Sequence, residues 1–487
     1  MQQPMTFLWH DYETFGANPR LDRPSQFGAL RTDADFNPIG EAEMFYCSPA
    51  DDFLPHPMAV LITGITPQDA KAKGMPETEF AGAISDLMSQ PNTCVVGYNS
   101  LRFDDEITRH MFYRNFIDPY AREWQNGNSR WDLIDVVRAI YALRPEGINW
   151  PRKPDGQPSF KLEDLTAANG IAHGDAAHDA LADVRATLEL ARLLKRAQPR
   201  LFEYLFNMRG KHLVAKAINL DDPKPFLHIS SRFPASRGCA AIVLPLARHP
   251  TNPNGVIVYD LTENPQALLN LTAEEIKQQV FVSSANLEAQ GLKRIPLKLI
   301  HLNRCPVVLP VNAMEPAIAE RHGINLALNE QHWHALQQLD AAFVSKIQQV
   351  FAEQDGGFKN DGDPDLMLYS GNFFSTADNE RFKQIRLASA EDLSELELVF
   401  DDPRCEEMLF RFRARNWPEY LTSAERERWD EFRWQRFHSR ITSSLTLQGL
   451  QDELIRLSNQ GLEEEALFLL QELQFWVESM LPLQFME

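Results

Sequence analysis

The stretch TFLWHDYE, residues 6–13, decides the fold of the first part of the chain. It is a short apolar run that ends in acids, which is typical of a buried strand. A second buried-strand candidate, TCVVGYN at 93–99, has polar residues on both sides. Helical patterns lie between and after these runs, and strands that alternate with helices indicate a mixed α/β domain. The predicted helices cover roughly residues 79–90, 102–115, 131–143 and 179–196.

Two changes of pattern divide the rest of the chain. Gln198-Pro199 is the best domain boundary, and several short β-type runs separated by Pro, Asn and Gly turns follow within 225–310. These runs predict a small barrel or sandwich. A linker rich in Gly and Asp, residues 353–365, precedes amphipathic runs at 422–438 and 446–478. Those runs predict a helical C-terminal domain.

Bulk composition restricts the class of protein. The 487 residues exceed what one hydrophobic core usually organises, so we expect two or three domains. The N-terminus has no signal-peptide pattern and no run approaches about 18 apolar residues, which favours a soluble, cytoplasmic protein without a membrane segment. The five cysteines form no CxxC pair. We expect them to be buried or free thiols in a reducing compartment.

The net charge of −20 disfavours nucleic-acid binding over the surface as a whole, because phosphate neutralisation requires clustered Lys and Arg. Acid is concentrated in segments such as 388–403 and 461–473, whose apolar spacing is that of helices or strands with solvated faces. A basic groove elsewhere in the chain is therefore compatible with the composition.

Asp11 and Glu13 lie two residues apart at the end of the first predicted strand. A period of two directs both carboxylates to one face of the sheet, where they repel each other unless a cation lies between them. A solvated strand end is the alternative for an isolated D-x-E pair. A third acid, Asp104, stands at the start of the helix that follows the second strand. There Asp105 and Glu106 are better placed to stabilise the helix dipole.

A histidine and a fourth acid come together in AHDALADVRATLELARLL, where His178 precedes Asp183 by five residues. On an ideal helix this spacing separates two side chains by about 140°, so both converge on one site only if His178 lies in the entry turn. A capping or surface position is the alternative for this histidine. Asp179 competes with Asp183, but its place suits a helix cap or a first-turn acid.

Taken in order, these motifs resemble the histidine-containing subgroup of the DEDD exonuclease superfamily. The segments HDYETFG, ITGITPQ, GYNSLRFDDEITRHMFYRNF, ALRPEGINWP and ANGIAH, with LYSGNFFS and RARNWP downstream, are similar to the bacterial exonuclease I family. The similarity extends over essentially the whole chain. It implies a ribonuclease H-like mixed sheet flanked by helices at 1–198, an SH3-like β-rich domain at 199–352 and a helical C-terminal domain at 353–487.

The resemblance implies that the chain degrades single-stranded DNA from its 3′ end to 5′-mononucleotides with two Mg²⁺ ions, or Mn²⁺ in their place. Four carboxylates around one point suit such hard cations better than zinc. The family implies that Asp11 bridges both ions, while Glu13 and Asp183 complete the first. Asp104 holds the second ion through water. His178 is the general base that removes a proton from the attacking water.

The resemblance also implies a path for the single strand, in which cations meet phosphates and aromatic rings stack with bases. Surface charge and core packing are the alternatives for these side chains. At position 161 this chain has lysine where the family has arginine, so that a forked phosphate contact becomes a point charge. The residues implied to contact DNA are Glu13, Arg109, Tyr120, Trp124, Arg138, Phe160 and Lys161.

A protein partner follows from the same resemblance. The family docks the acidic, Phe-ending tail of single-stranded-DNA-binding protein (SSB) on a basic and apolar pocket, and Arg144 and Tyr204 occupy matching positions. Local packing or loop anchoring is the alternative for both residues. The family further implies a monomer that acts in DNA repair and recombination.

Two other functions are compatible with the motifs. An exoribonuclease uses the same acidic site, and contacts near the 2′ position separate the two substrates. The two additional domains distinguish this chain from the small oligoribonucleases. A non-catalytic single-strand-binding protein is the second alternative. Loss of any one of the four acids would favour it, but all four acids and His178 are present.

Overall fold

The computed structural model describes residues 4–173, 179–337, 340–352 and 362–482. Its described strands form two five-stranded sheets, β1 to β5 in the first and β6 to β10 in the second. The strands are β1 (Thr6–Thr14), β2 (Pro24–Thr32), β3 (Glu43–Tyr46), β4 (Thr93–Gly97), β5 (Ser129–Asp132), β6 (Phe226–Ile229), β7 (Ala240–Arg248), β8 (Gly255–Asp260), β9 (Leu297–His301) and β10 (Val307–Pro310).

Helices occur throughout the chain, and side-chain caps begin many of them. The Asp132 carboxylate accepts the N–H of Ile134 at the start of α5, and Thr422 forms a capping box with Glu425 at the start of α19. The helices are α1 (Pro57–Thr63), α2 (Pro67–Lys73), α3 (Glu77–Met88), α4 (Asp104–Arg114), α5 (Leu133–Leu143), α6 (Leu162–Ala168), α7 (Ala180–Ala197), α8 (Pro199–Asn207), α9 (Lys211–Ala217), α10 (Gln266–Asn270), α11 (Ala273–Phe281), α12 (Ser284–Ala289), α13 (Pro316–Arg321), α14 (Leu326–Ala335), α15 (Ala341–Ala352), α16 (Thr376–Leu387), α17 (Ala390–Glu395), α18 (Arg404–Asn416), α19 (Ser423–His438), α20 (Leu447–Ser458) and α21 (Glu464–Met480).

The first sheet is mixed, with strand order β3-β2-β1-β4-β5. β1 pairs antiparallel with β2 on one side and parallel with β4 on the other. β4 is buried along its whole length and β1 along most of its length. Strands that are covered on both faces have continuous apolar sequences, and the sequences of β1 and β4 are of this kind. The sheet and its helices confirm the predicted mixed α/β fold.

The chain divides into two compact units, and each is described by itself. The first comprises Met1–Ser129, His173–Leu188 and Lys359–Glu487, and the second comprises Arg130–Ala172 and Glu189–Phe358. In the first unit the C-terminal helices share apolar cores with the N-terminal residues. Phe15, Phe53 and Val60 pack in one cluster with Phe437 and Leu473. The helical C-terminal part is therefore packed onto N-terminal residues rather than separated from them.

A buried ion cluster adds to this packing within the first unit. Asp52 is fully buried, and its Oδ2 accepts hydrogen bonds from Arg23 at 3.2 Å, Arg415 at 2.9 Å and Arg436 at 3.2 Å. Burial alone would raise the pKa of Asp52, but the three guanidinium groups outweigh it and hold that pKa well below its usual range. One carboxylate thus joins the N-terminal residues to two C-terminal helices.

The second sheet lies in the second unit and is entirely antiparallel, with strand order β10-β6-β7-β8-β9. The register between β7 and β8 shifts at Pro245/Ala247, which is a bulge that bends the sheet. Apolar residues from all five of its strands, with residues of α9, form one core. This curled sheet confirms the predicted SH3-like β-rich domain.

Local differences from the predicted elements have physical reasons. The predicted helices correspond to α3, α4, α5 and α7, but β2 and β3 were not predicted. β2 is buried on nearly every residue and begins at Pro24, so its sequence shows no alternation. The run at 446–478 forms two helices, α20 and α21, because Gly461 between them adopts a left-handed φ of 68°. Within 388–403 only α17 is regular.

The buried cysteines agree with the prediction of buried thiols. In the part of the chain that the structure describes, the five cysteines are thiols rather than disulfides, and four of them are buried. Across the described ranges, no helix is both long enough and apolar enough to cross a membrane.

Candidate active site

Three carboxylates converge on one point of the first unit. One oxygen from each of Asp11, Glu13 and Asp183 lies within 4.8 Å of the other two. Asp11 and Glu13 flank Tyr12 on β1, where the period of two lets both side chains approach the same place. Asp183 comes from the first turn of α7. The structure therefore brings together three of the four acids that the sequence singles out.

These carboxylates oppose one another electrostatically. Burial raises the pKa of Asp11 well above its usual range, and the charges of Asp104, Asp183 and Glu13 raise it further. Burial, followed by the charges of Asp183, Asp104 and Asp179, raises the pKa of Glu13 to about 9. Acids whose pKa values rise through burial and mutual repulsion are common at functional sites, because a bound cation relieves both effects.

Asp104 belongs to the same electrostatic group and is held against β1. It is buried at the first position of α4, and its Oδ1 accepts a hydrogen bond from the backbone N–H of Tyr12 at 3.2 Å. Its neighbours have other partners. Asp105 forms a buried ion pair with Arg122 at 2.6 Å, and Glu106 pairs with Arg109 at 2.9 Å. Of the three acids at this helix start, only Asp104 influences the pKa values of both Asp11 and Glu13.

The first turn of α7 is capped by Asp179. Its Oδ1 accepts the backbone N–H groups of Leu181 at 3.1 Å and Ala182 at 3.2 Å. These bonds satisfy donors that have no partner within the helix. The prediction that Asp179 is a helix cap is confirmed, and Asp183 is the acid of this turn that approaches Asp11 and Glu13.

β2 fixes the position of this helix start. Gln26 donates through Nε2 to Asp179 Oδ2 at 3.2 Å and accepts the N–H of Ala180 at 2.9 Å. Gln26 is also the residue of β2 that lies opposite Glu13 on β1. The same residue therefore connects the Asp179 cap to the strand that carries Asp11 and Glu13. Gly28 lies so close to the turn that an added Cβ would be 2.7 Å from Ala180 C and Leu181 N. The absence of a side chain at Gly28 permits this approach.

Two histidines precede α7. His178, the predicted general base, lies outside the described residues, so its place in the entry turn stays a prediction. α7 begins at Ala180, two positions later. His173 is described, and its Nε2 forms a hydrogen bond with Asp183 Oδ1.

Arg109, predicted to contact DNA, is buried and bonded to two acids of the first unit. It donates through Nε and Nη2 to Glu123 at 2.8 and 3.0 Å, and through Nη1 to Glu106 at 2.9 Å. Nη1 also donates to Tyr369 Oη at 3.1 Å. The Tyr120 ring lies 5.3 Å from the guanidinium carbon. A phosphate would therefore share Arg109 with a carboxylate network.

The aromatic residues predicted to contact DNA differ in exposure. In the first unit Trp124 is 67% exposed and Tyr120 is half-buried. In the second unit Phe160 is half-buried and packs edge-on against Tyr141, with ring centroids 5.3 Å apart. Trp124 thus has the largest free ring surface of these three residues.

The remaining predicted DNA-contacting residues lie in the second unit. Arg138 is buried, donates to Asp135 at 2.6 Å and lies 5.8 Å from the centre of the Phe160 ring. Lys161 is exposed and immediately precedes α6. The Arg138 guanidinium thus lies beside the Phe160 ring, and Lys161 follows Phe160 directly in the sequence.

The two residues predicted to bind SSB also lie in the second unit. Arg144 follows α5 and donates to Glu315 Oε1 at 2.5 Å and to the Leu143 carbonyl at 2.7 Å. Its side chain is 36% exposed. Tyr204, on α8, donates its hydroxyl to the Val308 carbonyl at 3.2 Å.

Four residues that the sequence reasoning did not single out prove relevant to these sites: Gln26, Gly28, His173 and Tyr369. Gln26 and Gly28 lie opposite Glu13 and Asp11 on β2. They could have been identified only if β2 had been predicted, and its sequence has no alternation of apolar and polar residues. His173 is the last residue of the segment ANGIAH, five residues before His178. Tyr369 lies more than 200 positions from its partner Arg109, so no local pattern could connect them.

The donor set of the acidic cluster fits a divalent metal. Carboxylate oxygens are the ligands that Mg²⁺ and Mn²⁺ prefer, and the raised pKa values of Asp11 and Glu13 indicate negative charge that a cation would neutralise. Asp11, Glu13 and Asp183 would hold such a cation, with Asp104 adjacent through its bond to Tyr12.

Three protein-family models match successive parts of the chain. They are described as Exonuclease, over residues 8–191, Exonuclease I SH3-like domain, over 209–353, and Exonuclease I C-terminal domain, over 362–480. The exonuclease match covers all four acids and, together with the cluster, implies dependence on a divalent metal.

Known proteins resemble the chain over nearly its full length. Exodeoxyribonuclease I of Escherichia coli (strain K12) is 48% identical over 469 residues, which is 95% of each chain. The crystal structure of E. coli exonuclease I in complex with a dA16 oligonucleotide has a TM-score of 0.93 and 48% identity, covering 98% of this chain and all of that one. A structure of SSB/exonuclease I with the inhibitor CFAM has a TM-score of 0.88 and 47% identity, with coverage of 98% and 100%. These matches and the acidic cluster show that the chain belongs to the exodeoxyribonuclease I family.

Proposed function

We propose that the chain is a divalent-metal-dependent 3′ to 5′ exonuclease that degrades single-stranded DNA to 5′-mononucleotides. The observation that carries this proposal is the convergence of Asp11, Glu13 and Asp183 within 4.8 Å, in a chain of the exodeoxyribonuclease I family. Burying like charges together is costly for stability, so the cluster is better explained by a bound cation than by folding.

The metal we propose is Mg²⁺, with Mn²⁺ able to replace it, and the number of ions is two. Asp11 would contact both ions, Glu13 and Asp183 would contact the first, and Asp104 would hold the second through water. When bound, such ions lower the pKa of the attacking water and stabilise charge on the departing 3′ oxygen. Glu13 would also lie next to the terminal nucleotide.

We assign removal of the proton from the attacking water to His178. A histidine with a pKa near its usual value accepts a proton readily at neutral pH. Asp179 is excluded from this role because its two oxygens are used in the cap and by Gln26.

For the DNA path we propose that Trp124, Tyr120 and Phe160 stack with bases, while Lys161 and Arg138 meet phosphates. The exposed ring of Trp124 supports its role, since stacking on an aromatic side chain contributes about 1–3 kcal/mol per base. Of the three cations, Arg109 is the one that we expect to contribute least to phosphate binding, because its N–H groups are already bonded to Glu106 and Glu123. Trp124→Ala is expected to weaken single-strand binding by about 10-fold or more in an anisotropy titration.

We further propose that the protein acts as a monomer in the cytoplasm, in DNA repair and recombination, with domains at 1–198, 199–352 and 353–487. By similarity to the SSB/exonuclease I structure, Arg144 and Tyr204 would receive the acidic tail of SSB. Arg144→Ala should weaken binding of an SSB tail peptide, because the freed carboxylate of Glu315 would repel an acidic ligand. Unchanged affinity in a titration would remove Arg144 from the interface.

A labelled-strand time course tests the proposed function. Single-stranded DNA labelled at its 5′ end should shorten progressively with Mg²⁺, while 3′-labelled DNA should release its label in the first turnover. Duplex DNA, a matched RNA and a reaction with EDTA should be degraded slowly or not at all. Asp11→Asn provides the matched inactive protein, and cleavage by this variant at the parent rate would place the activity elsewhere.

A further inference from the structure

His173 lies beside the acidic cluster, and neither the motif nor the general-base assignment uses it. Its Nε2 forms a hydrogen bond with Oδ1 of Asp183. Both side chains are mostly buried, with 17% of His173 and 19% of Asp183 exposed. Asp183 is one of the three residues whose oxygens converge. An imidazole thus contacts a carboxylate of the proposed metal site.

We propose that His173 is a positioning residue for the metal site, which donates its Nε2–H to Asp183 Oδ1 and so holds this carboxylate in place beside Asp11 and Glu13. An ionised carboxylate only accepts hydrogen bonds, so the ring nitrogen that contacts it is the donor. This inference rests on the proposed function of the acidic cluster. It adds a residue that sets the geometry of the site without contacting the reacting atoms.

Asp183 needs such a partner more than the other two acids do. Asp11 and Glu13 project from β1, whose backbone is paired on β2 throughout this stretch. The backbone of Asp183 is fixed by the Asp179 cap, but its side chain extends from a helix turn and is partly exposed. Repulsion from Asp11 and Glu13 favours rotation of this carboxylate away from the cluster. The bond from His173 opposes that rotation.

Hydrogen-bond partners of metal-binding carboxylates have a measurable effect. Their removal typically costs about 10–100-fold in metal affinity or activity. A residue that only positions Asp183 should change the affinity for metal much more than the rate at saturating metal. A residue that takes part in the reaction should instead change the rate at saturating metal much more than the affinity for metal.

The test uses the full-length protein without DNA and measures Mn²⁺ binding by electron paramagnetic resonance at one fixed pH. His173→Ala should raise the Kd for Mn²⁺ by about 10–100-fold. His173→Gln should restore it to within about 3-fold of the parent, because the glutamine amide also donates. His334→Ala serves as the matched control, since that histidine is 55% exposed in the second unit and should leave the Kd unchanged. Single-strand cleavage is then measured at saturating Mn²⁺, where all variants should approach the parent kcat.

A double-mutant cycle separates this inference from the proposed function. Asp183→Asn should weaken Mn²⁺ binding, and His173→Ala should have no further effect in that background. If Asp183→Asn binds Mn²⁺ as the parent does, the proposed metal site is wrong. If Asp183→Asn weakens binding but His173→Ala does not, only the role of His173 is wrong. A normal Kd with a kcat that stays low at saturating Mn²⁺ in His173→Ala would also overturn the positioning role, because the histidine would then act in the reaction.

Discussion

Replacing Glu13 by Gln is expected to stabilise the metal-free protein while it removes metal-dependent activity. Glu13 is only 8% exposed, and burial together with the charges of Asp183 and Asp104 raises its pKa from 4.5 to about 9. Glutamine has nearly the same size as glutamate but does not ionise, so the unfolded chain no longer gains free energy by releasing a proton that the folded, metal-free protein holds. The metal-free protein is therefore stabilised, although one proposed metal ligand is lost.

The size of the effect follows from the pKa shift of Glu13. Between the unfolded pKa of 4.5 and the folded pKa of about 9, the folded protein holds a proton that the unfolded chain releases. The free energy of unfolding therefore decreases as the pH rises through this window. At pH 7, about 2.5 units above the unfolded pKa, the loss is at most about 3.5 kcal/mol, because one unit corresponds to about 1.4 kcal/mol. Because Glu13→Gln removes this loss of stability, the variant should have a Tm about 2–5 °C above that of the parent.

Thermal unfolding in EDTA at several pH values measures this effect. The Tm advantage of Glu13→Gln should be smallest near pH 4.5 and increase toward neutral and alkaline pH. Saturating Mg²⁺ should reverse the order, because the parent gains binding free energy that the variant lacks. The matched control is Glu77→Gln. Glu77 is buried, and its Oε2 lies 2.6 Å from Nη2 of Arg114. Burial raises the pKa of Glu77, but the Arg114 guanidinium outweighs burial and lowers this pKa to about 2. This control should be less stable by about 3–5 kcal/mol.

One outcome would refute the electrostatic reasoning about the cluster. If Glu13→Gln has the same Tm as the parent or a lower one in EDTA above neutral pH, while Glu77→Gln is destabilised, then the carboxylates of the cluster do not oppose one another. The convergence of the acids would then need another explanation than a cation site.

Three further substitutions test other parts of the structure. Asp52→Asn removes the acid that three buried arginines share, and it should destabilise the protein by about 3–5 kcal/mol in urea unfolding. Gly28→Ala places a Cβ 2.7 Å from the backbone of Ala180, so it should displace the helix start that carries Asp183 and lower kcat, with single-strand affinity nearly unchanged in an anisotropy titration. His178→Ala should keep Mn²⁺ and DNA binding but lose most of its turnover, and a near-parental rate would exclude His178 as the general base.

The sequence predicts the fold best where burial follows a simple period. β1 and β4 appear as apolar runs, and α7 carries its apolar residues at helical spacing, so these elements were predicted nearly to their ends. β2 was not predicted, because it is covered on both faces and its buried positions include Ser25 and Gln26, which no hydrophobicity pattern identifies. Central strands with polar residues require tertiary information.

In the candidate site too, contacts between residues close in sequence could be predicted and contacts between distant residues could not. Asp179 was predicted as a cap from its place at the helix start, and the hydrogen bonds confirm it, because capping involves only the next few residues. Arg109 could not be predicted as a buried residue. Its partners Glu123 and Tyr369 are 14 and 260 positions away, and only the fold brings them together.

The contact between His173 and Asp183 is an intermediate case. The two residues are only ten positions apart, and both stand in segments that resemble the exonuclease I family. The contact joins a residue outside the predicted helix to one in the first turn of that helix, and no helical or strand period predicts such a contact. The sequence therefore indicates which residues carry the chemistry more readily than which residues position them.

The most direct test of the central claim is an anomalous difference map from crystals soaked with Mn²⁺. The account predicts a peak bound by carboxylate oxygens of Asp11, Glu13 and Asp183, at about 2.0–2.6 Å from each. The same peak should be lost in crystals of Asp11→Asn. A map of the parent protein with no peak at these three residues, from crystals of an enzyme that remains active with Mn²⁺, would contradict the account.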